Sequence, residues 1–312
     1  MSSILNVRQV GKSFGATRAV DGLSFDVQEG EVFCLLGPNG AGKSTTIAMI
    51  ASVLPPDSGS VTFRGTEVRG RSPSYLRSLG IVPQEIALYG ELSARDNLDF
   101  FAALYGLRGA AKRARVVEAL RFAGLEERAA DRVDTFSGGM KRRLNIACAL
   151  CHAPSLLIMD EPTVGIDPQS RNHILESIRG LRDAGTTVVY TSHYMEEVEA
   201  IGDTILIMDH GVAVASGTTE SLKESLGDVR RFRIELDTDA PFDEKAFFRV
   251  QGVKAVRQTG AVVELDTVRG VENLDAVIRV VTAANRRILG VTSVEPSLEQ
   301  VFLRLTGRSL RD

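Results

Sequence analysis

The chain has 312 residues, of which 44% are hydrophobic, so it can bury a large core and we expect two domains. Its formal net charge is −3 and its pI is near 5.9. Such a balance supplies no positive field for collecting nucleic acid, and we expect no nucleic-acid partner.

The first segment predicts strands, a glycine-rich loop and a helix. Met1–Lys12 alternates polar and apolar residues, so we expect no signal peptide there. Val32–Leu36 is an apolar run that predicts a buried strand, and a helix is predicted from Lys43 to about Val53. Between them the glycines allow consecutive N–H groups to converge on phosphate oxygens, and the helix N-terminus favours an anion. The predicted phosphate-binding residues are Gly37, Pro38, Asn39, Gly40, Ala41, Gly42, Lys43, Ser44 and Thr45.

Two side chains of this loop have chemistry suited to a triphosphate. Lys43 would reach the β- and γ-phosphates as a point charge, and the Ser44 hydroxyl would ligate the Mg²⁺ that bridges them. The alternative is a glycine-rich turn that binds nothing. The strand, loop and helix context favours a phosphate-binding loop.

The middle of the chain predicts a strand followed by a helical insertion. Leu79–Pro83 is the strand, and Gln84 follows it. We predict an amphipathic helix over Ser93–Leu107, capped by Ser93 and Asp96, and a second helix over Ala111–Phe122. The insertion as a whole is expected to cover about 88–134.

The segment FSGGMKRR at Phe136–Arg143 predicts a second anion-binding helix N-terminus, formed by the Ser137 hydroxyl and the amides of Gly138 and Gly139. We expect its three cations, Lys141, Arg142 and Arg143, to form a solvated first turn.

The uncharged run Leu144–Met159 predicts a helix, a turn and a strand, and at 16 residues it is too short for a membrane span. The run contains Cys148 and Cys151, which have C-x-x-C spacing. They have no second ligand pair nearby, and with Cys34 they make only three cysteines. We expect small buried residues in a reducing compartment, without disulfides.

Leu156–Met159 predicts a buried parallel strand that ends in two acids, Asp160 and Glu161. Neighbouring strand residues point to opposite sides, so the two carboxylates should do different work. Asp160 is the natural Mg²⁺ partner, and Glu161 could accept a proton from the water that attacks the γ-phosphate. The alternative has both acids solvated at the strand end.

Three of these motifs together resemble the ATP-binding subunits of ABC transporters. GPNGAGKST resembles Walker A, LLIMDEP at Leu156–Pro162 resembles Walker B, and FSGGMKRR resembles the family signature. The resemblance runs from about Ile4 to Lys223. It implies an α/β fold with a RecA-like P-loop NTPase core and a helical insertion, and it implies ATP and Mg²⁺ as cofactors.

The resemblance also implies roles for residues that are ambiguous alone. Gln84 resembles the glutamine that senses Mg²⁺ and the membrane partner, and His193 resembles the switch histidine on the γ-phosphate. Phe14 lies where the family stacks an aromatic ring on adenine, and Val164–Asp167 resembles the loop after Walker B. Each has an ordinary structural alternative: a loop amide, a packed histidine, a core phenylalanine, and for Asp167 a helix cap.

In the family two subunits face head to tail, and the signature of one closes over the ATP on the other. The resemblance therefore implies a second copy of this chain and a membrane permease as partners, with the insertion touching the permease at the cytoplasmic face of the cell membrane. Two departures are Phe136, where the family usually has Leu, and Met140, where it usually has Gln. The second removes a glutamine side chain from the signature.

Beyond about Gly227 the pattern changes, and we predict a small α+β domain over 228–312, following an ATPase domain over 1–227. Its predicted strands are Phe232–Leu236, Val253–Arg257, Ala261–Leu265 and Ile288–Val294, and its predicted helices are Asn273–Ala284 and Leu298–Leu305. The tail Ser297–Arg308 resembles the end of ATPases that serve drug-resistance-type and ABC-2 exporters. An amphipathic helix packed on its own domain is the alternative.

The sequence therefore favours an ATPase subunit that energises a membrane exporter, whose cargo is set by the permease. One alternative is a soluble ABC ATPase that is not coupled to transport. Another is a nucleotide-binding regulator without turnover, and Glu161 argues against it.

Overall fold

The computed structural model describes residues 2–225, 229–241, 243–268, 270–294 and 297–307. Its first compact unit extends to Thr219 and its second begins at Glu220. The strands of the first unit are β1 (Ser3–Phe14), β2 (Thr17–Gln28), β3 (Val32–Leu36), β4 (Ser58–Phe63), β5 (Thr66–Glu67), β6 (Leu79–Val82), β7 (Leu156–Asp160), β8 (Thr187–Ser192), β9 (Thr204–Asp209) and β10 (Val212–Gly217). Its helices are α1 (Lys43–Ile50), α2 (Pro73–Ser78), α3 (Ala94–Leu104), α4 (Gly109–Ala123), α5 (Gly138–Leu150), α6 (Pro168–Asp183) and α7 (Met195–Ile201), and α8 (Thr219–Glu224) begins at the boundary.

A mostly parallel sheet carries the candidate site. Its strand order is β10-β9-β3-β8-β7-β6, and only β10, at one edge, pairs antiparallel to its neighbour. β3 is buried along its whole length, as an apolar run covered on both faces should be. Parallel strands end at the same edge of a sheet, so the loops after β3, β8, β7 and β6 lie side by side. This topology brings together segments that are far apart in the sequence.

A second, antiparallel sheet has the order β2-β1-β4-β5 and shares a core with the main sheet. The rings of Phe25 on β2 and Phe33 on β3 stack at 4.9 Å between centroids, and Leu5 and Val7 on β1 are buried in the same core. The hairpin between β1 and β2 ends at Phe14 and Thr17, which places these two residues at the edge of the fold.

The helical insertion packs around α3, α4 and α5. Leu98 of α3, Leu120 of α4 and Leu144 of α5 belong to one buried cluster. Ser93 caps α3 by accepting a hydrogen bond from the Asp96 amide at 3.0 Å, as predicted. The helix ends at Leu104 rather than at Leu107, because Gly106 adopts a positive φ of 87°.

The uncharged run Leu144–Met159 is divided between α5 and β7, as the sequence predicts. Cys148 and Cys151 are free thiols, buried at the end of α5, and so is Cys34 in β3. Across the described ranges, no helix is both long and apolar enough to cross a bilayer.

The second unit contains a four-stranded antiparallel sheet. Its strands are β11 (Val229–Leu236), β12 (Val253–Thr259), β13 (Val262–Val268) and β14 (Ile288–Val294), in the order β12-β13-β11-β14. Its helices are α9 (Glu244–Phe247), α10 (Leu274–Ala283) and α11 (Leu298–Thr306). Phe232 and Ile234 of β11 pack with Val277 and Val281 of α10. The sequence did not predict α9, which is a single turn. The exporter-like tail was predicted over Ser297–Arg308, and of this segment Arg308 lies outside the described residues.

Candidate functional site

The phosphate-binding loop connects β3 to α1 under tight packing. Gly42 adopts a positive φ of 98°, and a Cβ there would lie 2.4 Å from the Ala19 carbonyl oxygen. A Cβ on Gly37 would lie 2.3 Å from the Met208 carbonyl oxygen. No side chain caps the start of α1, so the N–H groups of its first turn are oriented for an anion.

Lys43 is the first residue of α1 and is only 4% exposed. Its Nζ donates hydrogen bonds to the carbonyl oxygens of Gly37 at 2.7 Å and Pro38 at 3.1 Å. The same Nζ lies 3.1 Å from Glu161 Oε1. The ammonium is therefore folded back along its own loop and paired with the acid at the end of β7.

The two acids at the end of β7 have different surroundings. Asp160 Oδ1 accepts a hydrogen bond from Thr191 Oγ1 at 2.6 Å, and this hydroxyl accepts one from the Glu161 amide at 2.9 Å. Glu161 has a positive φ of 44°, unusual for a residue with a side chain, and it is 6% exposed. Its carboxylate faces Lys43, whereas that of Asp160 faces β8.

His193 follows β8 and completes a three-residue cluster. Its Nδ1 lies 3.1 Å from Glu161 Oε2, so a proton on Nδ1 is donated to the carboxylate. Glu161 thus lies between an ammonium on one oxygen and an imidazole on the other. Backbone strain at a residue with such partners is typical of functional positions.

A cavity of about 490 Å³ opens in front of the loop. Phe14, Gln84 and Glu161 line it together with the loop residues from Asn39 to Thr45. Phe14 is 53% exposed, which removes the core alternative for it. Of the three predicted magnesium ligands, Ser44 and Gln84 line the cavity, and Asp160 does not.

Sequence reasoning missed part of this lining. The additional residues are Thr17, Arg18, Ala19 and His210. His210 lies in the turn between β9 and β10, and the neighbouring Gly211 holds this turn in place. The Gly211 N–H donates to the Ala41 carbonyl at 3.1 Å, and the Gly211 carbonyl accepts from the Asp21 amide at 2.9 Å. Thr17 is three residues after Phe14, which was predicted to stack on adenine, so its place in the lining could have been predicted from the sequence. No neighbouring residue in the sequence indicates the same for His210.

The signature residues form a separate helix N-terminus. Ser137 caps α5 by accepting a hydrogen bond from the Met140 amide at 3.3 Å, and Ser137 and Gly138 are exposed. A Cβ on Gly139 would lie 2.1 Å from Ser170 Oγ, so this glycine is required by the close approach of α6. None of the three signature residues lines the cavity.

The prediction of a solvated first turn after the signature is wrong for Arg142, which is 3% exposed. Its Nη1 donates to the Pro83 carbonyl oxygen at 2.7 Å, and its Nη2 donates to the Gln84 carbonyl oxygen. One helical turn on, Asn145 Oδ1 accepts from the Ala87 amide at 3.3 Å. The irregular backbone after β6 needs hydrogen-bonding partners, and one face of α5 supplies them. Burial lowers the pKa of the Arg142 guanidinium.

The loop that follows Glu161 ends in a helix cap. Asp167 Oδ1 accepts from the Ser170 amide at 2.9 Å, and Pro168 occupies the first turn of α6. This hydrogen bond lowers the pKa of the Asp167 carboxyl. The capping alternative for Asp167 is therefore correct as a local structure.

Known proteins resemble the chain over its whole length. A family model described as ABC transporter matches residues 20–164. The chain is 44% identical to the linearmycin resistance ATP-binding protein LnrL of Bacillus subtilis (strain 168), over 99% of this chain and 100% of that protein. It is 38% identical to the daunorubicin/doxorubicin resistance ATP-binding protein DrrA of Streptomyces peucetius, over 96% of this chain and 92% of that one. It is 39% identical to the Nod factor export ATP-binding protein I of Rhizobium sp. (strain N33), over 98% of each.

Solved structures agree with this relationship. The structure of cbiO1 from Clostridium perfringens, part of the cbiONQ ABC transporter complex, has a TM-score of 0.67 at 29% identity, and the match covers 72% of this chain and 92% of that one. A dimeric post-hydrolysis state of the ATP-binding cassette MJ0796, bound to ADP and Pi, has a TM-score of 0.62 at 26% identity, covering 69% of this chain and 98% of that one. The predicted P-loop NTPase fold is confirmed. The chain therefore belongs to the ABC transporter family, as an ATP-hydrolysing, ATP-binding subunit of the exporter type.

Proposed function

We propose that this chain binds Mg·ATP in the cavity next to Lys43 and hydrolyses it to drive export through a separate membrane permease. One observation carries the proposal: Lys43, Glu161 and His193 form one contact cluster at the phosphate loop. They lie in the segments that follow three neighbouring parallel strands, β3, β7 and β8. The exposed ring of Phe14 is suited to stack on adenine at the mouth of the cavity.

The cluster suggests how binding prepares the chemistry. Phosphate oxygens at the loop would compete with Glu161 and with two carbonyls for the Lys43 ammonium. Transfer of Lys43 to the β- and γ-phosphates would release Glu161 Oε1, and a carboxylate without an ammonium beside it is a better proton acceptor. Glu161 would then take a proton from the attacking water. His193 would hold Glu161 in position by donating from Nδ1 to Oε2, and when the ring carries a proton on both nitrogens, Nε2 would donate to the γ-phosphate.

The residues present fit a magnesium ion. Ser44 and Gln84 offer oxygen atoms to the cavity, and Asp160 ends the strand next to Glu161. Oxygen donors are what Mg²⁺ prefers. When bound, the ion would neutralise charge on the β- and γ-phosphates. Ser44 and Gln84 would hold it, and Asp160, which does not line the cavity, would act on it as an outer-sphere partner.

The signature supports a second copy of this chain as partner. Ser137 and Gly138 form an exposed helix N-terminus outside the cavity, so their anion-binding groups are available to a nucleotide on another subunit. Dimeric cassettes are among the solved relatives. The relatives named for drug resistance and Nod factor export support export as the direction of transport. The other partner would be a membrane permease, which this chain would contact at the cytoplasmic face of the membrane.

The test is Glu161→Gln, which keeps the shape of the side chain and removes the base. We expect Mg·ATP binding to persist and steady-state hydrolysis to fall about 10²–10⁴-fold, the usual contribution of a general base. Glu127→Gln, at an exposed position of the insertion, is the matched control and should hydrolyse ATP normally. Normal turnover by Glu161→Gln would refute the assignment of the base.

A further inference from the structure

A buried glutamate outside the predicted motifs, Glu197, connects the segment that carries Glu161 to the segment that carries His193. Glu197 of α7 is 2% exposed, and its carboxylate accepts three hydrogen bonds from hydroxyl groups. The donors are Thr163 Oγ1 at 2.7 Å to Oε1, and Tyr190 OH at 2.9 Å and Ser192 Oγ at 2.8 Å to Oε2. A charged side chain so deeply buried needs such donors, and this one has them on both oxygens.

Two of the donors flank the proposed catalytic residues. Thr163 lies two positions after Glu161, and Ser192 immediately precedes His193. The Ser192 hydroxyl also accepts a hydrogen bond from the Tyr194 amide at 2.9 Å, which fixes the backbone on the far side of His193. One carboxylate therefore holds the loop after β7 and the loop after β8 together.

A cation from a third element closes the arrangement. Arg171, in the first turn of α6, places its Nε 3.4 Å from Glu197 Oε1. Its guanidinium lies over the Tyr194 ring, 5.0 Å from the centroid, and that ring lies 4.2 Å from the imidazole of His193. The imidazole of His193 therefore contacts a ring that also contacts Arg171, the cation paired to the same glutamate.

We propose that Glu197 is a positioning residue for hydrolysis, which keeps Glu161 and His193 within their 3.1 Å contact. The inference rests on the proposed function, because it assigns Glu197 an effect through these two residues. A buried polar network with every oxygen satisfied specifies one geometry of the groups attached to it. In the network around Glu197, the attached groups are the segment that carries Glu161 and the segment that carries His193.

The first experiment compares Glu197→Gln with Glu196→Gln, its exposed neighbour in the same helix. The amide keeps the size of the carboxylate but presents a donor where the network needs an acceptor. We expect kcat to fall about 10-fold or more, as small misplacements of catalytic groups do, with the Kd of Mg·ATP changed by less than about 2-fold. Glu196→Gln should leave both values unchanged. A loss of ATP affinity in proportion to kcat would overturn the inference.

A double-mutant cycle separates positioning from general weakening of the fold. In a His193→Ala background, Glu197→Gln should cost much less than in the wild type, at most about 3-fold, because residues that act as a unit are not additive. An equal loss in both backgrounds would contradict the inference. Ser192→Ala should reproduce the loss while keeping Glu197 charged.

A spectroscopic measurement keeps this inference distinct from the proposed function. The chain has four histidines, so the ¹⁵N imidazole signal of His193 can be assigned by comparison with His193→Ala. Glu197→Gln should shift or broaden that signal without nucleotide, and Glu196→Gln should not. An unchanged signal would refute the positioning role even in an active ATPase, whereas a wild type that binds ATP without hydrolysing it would count against the proposed function alone.

Discussion

The contact between Lys43 and Glu161 makes a quantitative prediction about the nucleotide-free protein. Both side chains are buried, at 4% and 7% exposure, with Nζ and Oε1 3.1 Å apart. Lys43→Met removes the cation and keeps most of the volume, leaving a buried carboxylate with only His193 beside it. Removing one partner of a buried ion pair commonly costs about 3–5 kcal/mol of unfolding free energy.

The reverse change should be milder. In Glu161→Gln the Lys43 ammonium keeps its hydrogen bonds to the Gly37 and Pro38 carbonyls, and the amide oxygen can still accept one. We expect a loss of about 1.5–3 kcal/mol, the range for a hydrogen bond to a charged group. With both substitutions no unpaired charge remains, so the double variant should be more stable than the sum of the two losses implies, by about 1–3 kcal/mol.

The assay is urea unfolding followed by circular dichroism on the wild type, the two single variants and the double variant, without nucleotide. Arg279→Met with Asp275→Asn is a matched control, because both side chains of that ion pair are exposed, and such surface pairs contribute about 0–1 kcal/mol. Losses that add to within about 0.5 kcal/mol for Lys43 and Glu161 would refute the coupling. In that case the release of Glu161 by ATP would lose its physical basis.

Three further predictions concern other parts of the molecule. Arg142→Gln should lose two hydrogen bonds to the segment that contains Gln84. We expect a stability loss of about 1–3 kcal/mol and a higher Mg²⁺ concentration for half-maximal ATPase activity. The control is Arg143→Gln, because Arg143 donates to the Ala123 carbonyl and not to that segment. Burial raises the pKa of the Cys151 thiol to about 11, above the unfolded value of about 8.5, so the thiol stays protonated at pH 8. Alkylation of Cys151 by iodoacetamide at pH 8 should therefore be far slower in the native protein than in the urea-unfolded chain, and equal rates would show that Cys151 is accessible. The stability that this thiol contributes should be complete below about pH 8.5 and lost as the pH rises through 11. Mixing inactive Lys43→Ala protein with inactive Ser137→Arg protein should restore part of the ATPase activity, because one of the two sites in the heterodimer contains neither substitution. If subunits exchange and no activity returns, that result would count against a site formed by two chains.

Much of this arrangement follows from patterns that are local in the sequence. The apolar runs of β3 and β7, each ending in charged or glycine-rich residues, predict strands whose loops meet at one sheet edge. The caps Ser93 and Asp167 were predicted from adjacent residues and are present. Such features depend on backbone geometry within a few positions, so a single sequence is sufficient to find them.

What the sequence did not show depends on partners that are distant along the chain. Arg142 looks like a surface cation because its acceptors are the carbonyls of Pro83 and Gln84, nearly sixty positions earlier. Glu197 looks like one of several acids on an exposed helix, because the hydroxyls that satisfy it come from two strand ends. A buried charge is recognisable only when its counterpart is known, and here the fold supplies that counterpart.

The charged side chains of the site have partners within the chain itself, and this explains how they can be buried together. Lys43 takes two carbonyls and Glu161 as partners, Glu161 takes Lys43 and His193, and Asp160 takes Thr191. On the proposed function, a triphosphate would have to replace the partners of Lys43, so part of its binding energy would go into separating Lys43 from Glu161. The base would then lose its cation only when phosphate is present to take that cation. The signature residues do not line the cavity, so on the same proposal they would cap a phosphate held by a second copy. Both release of the base and closure over the nucleotide would then depend on ATP being in place.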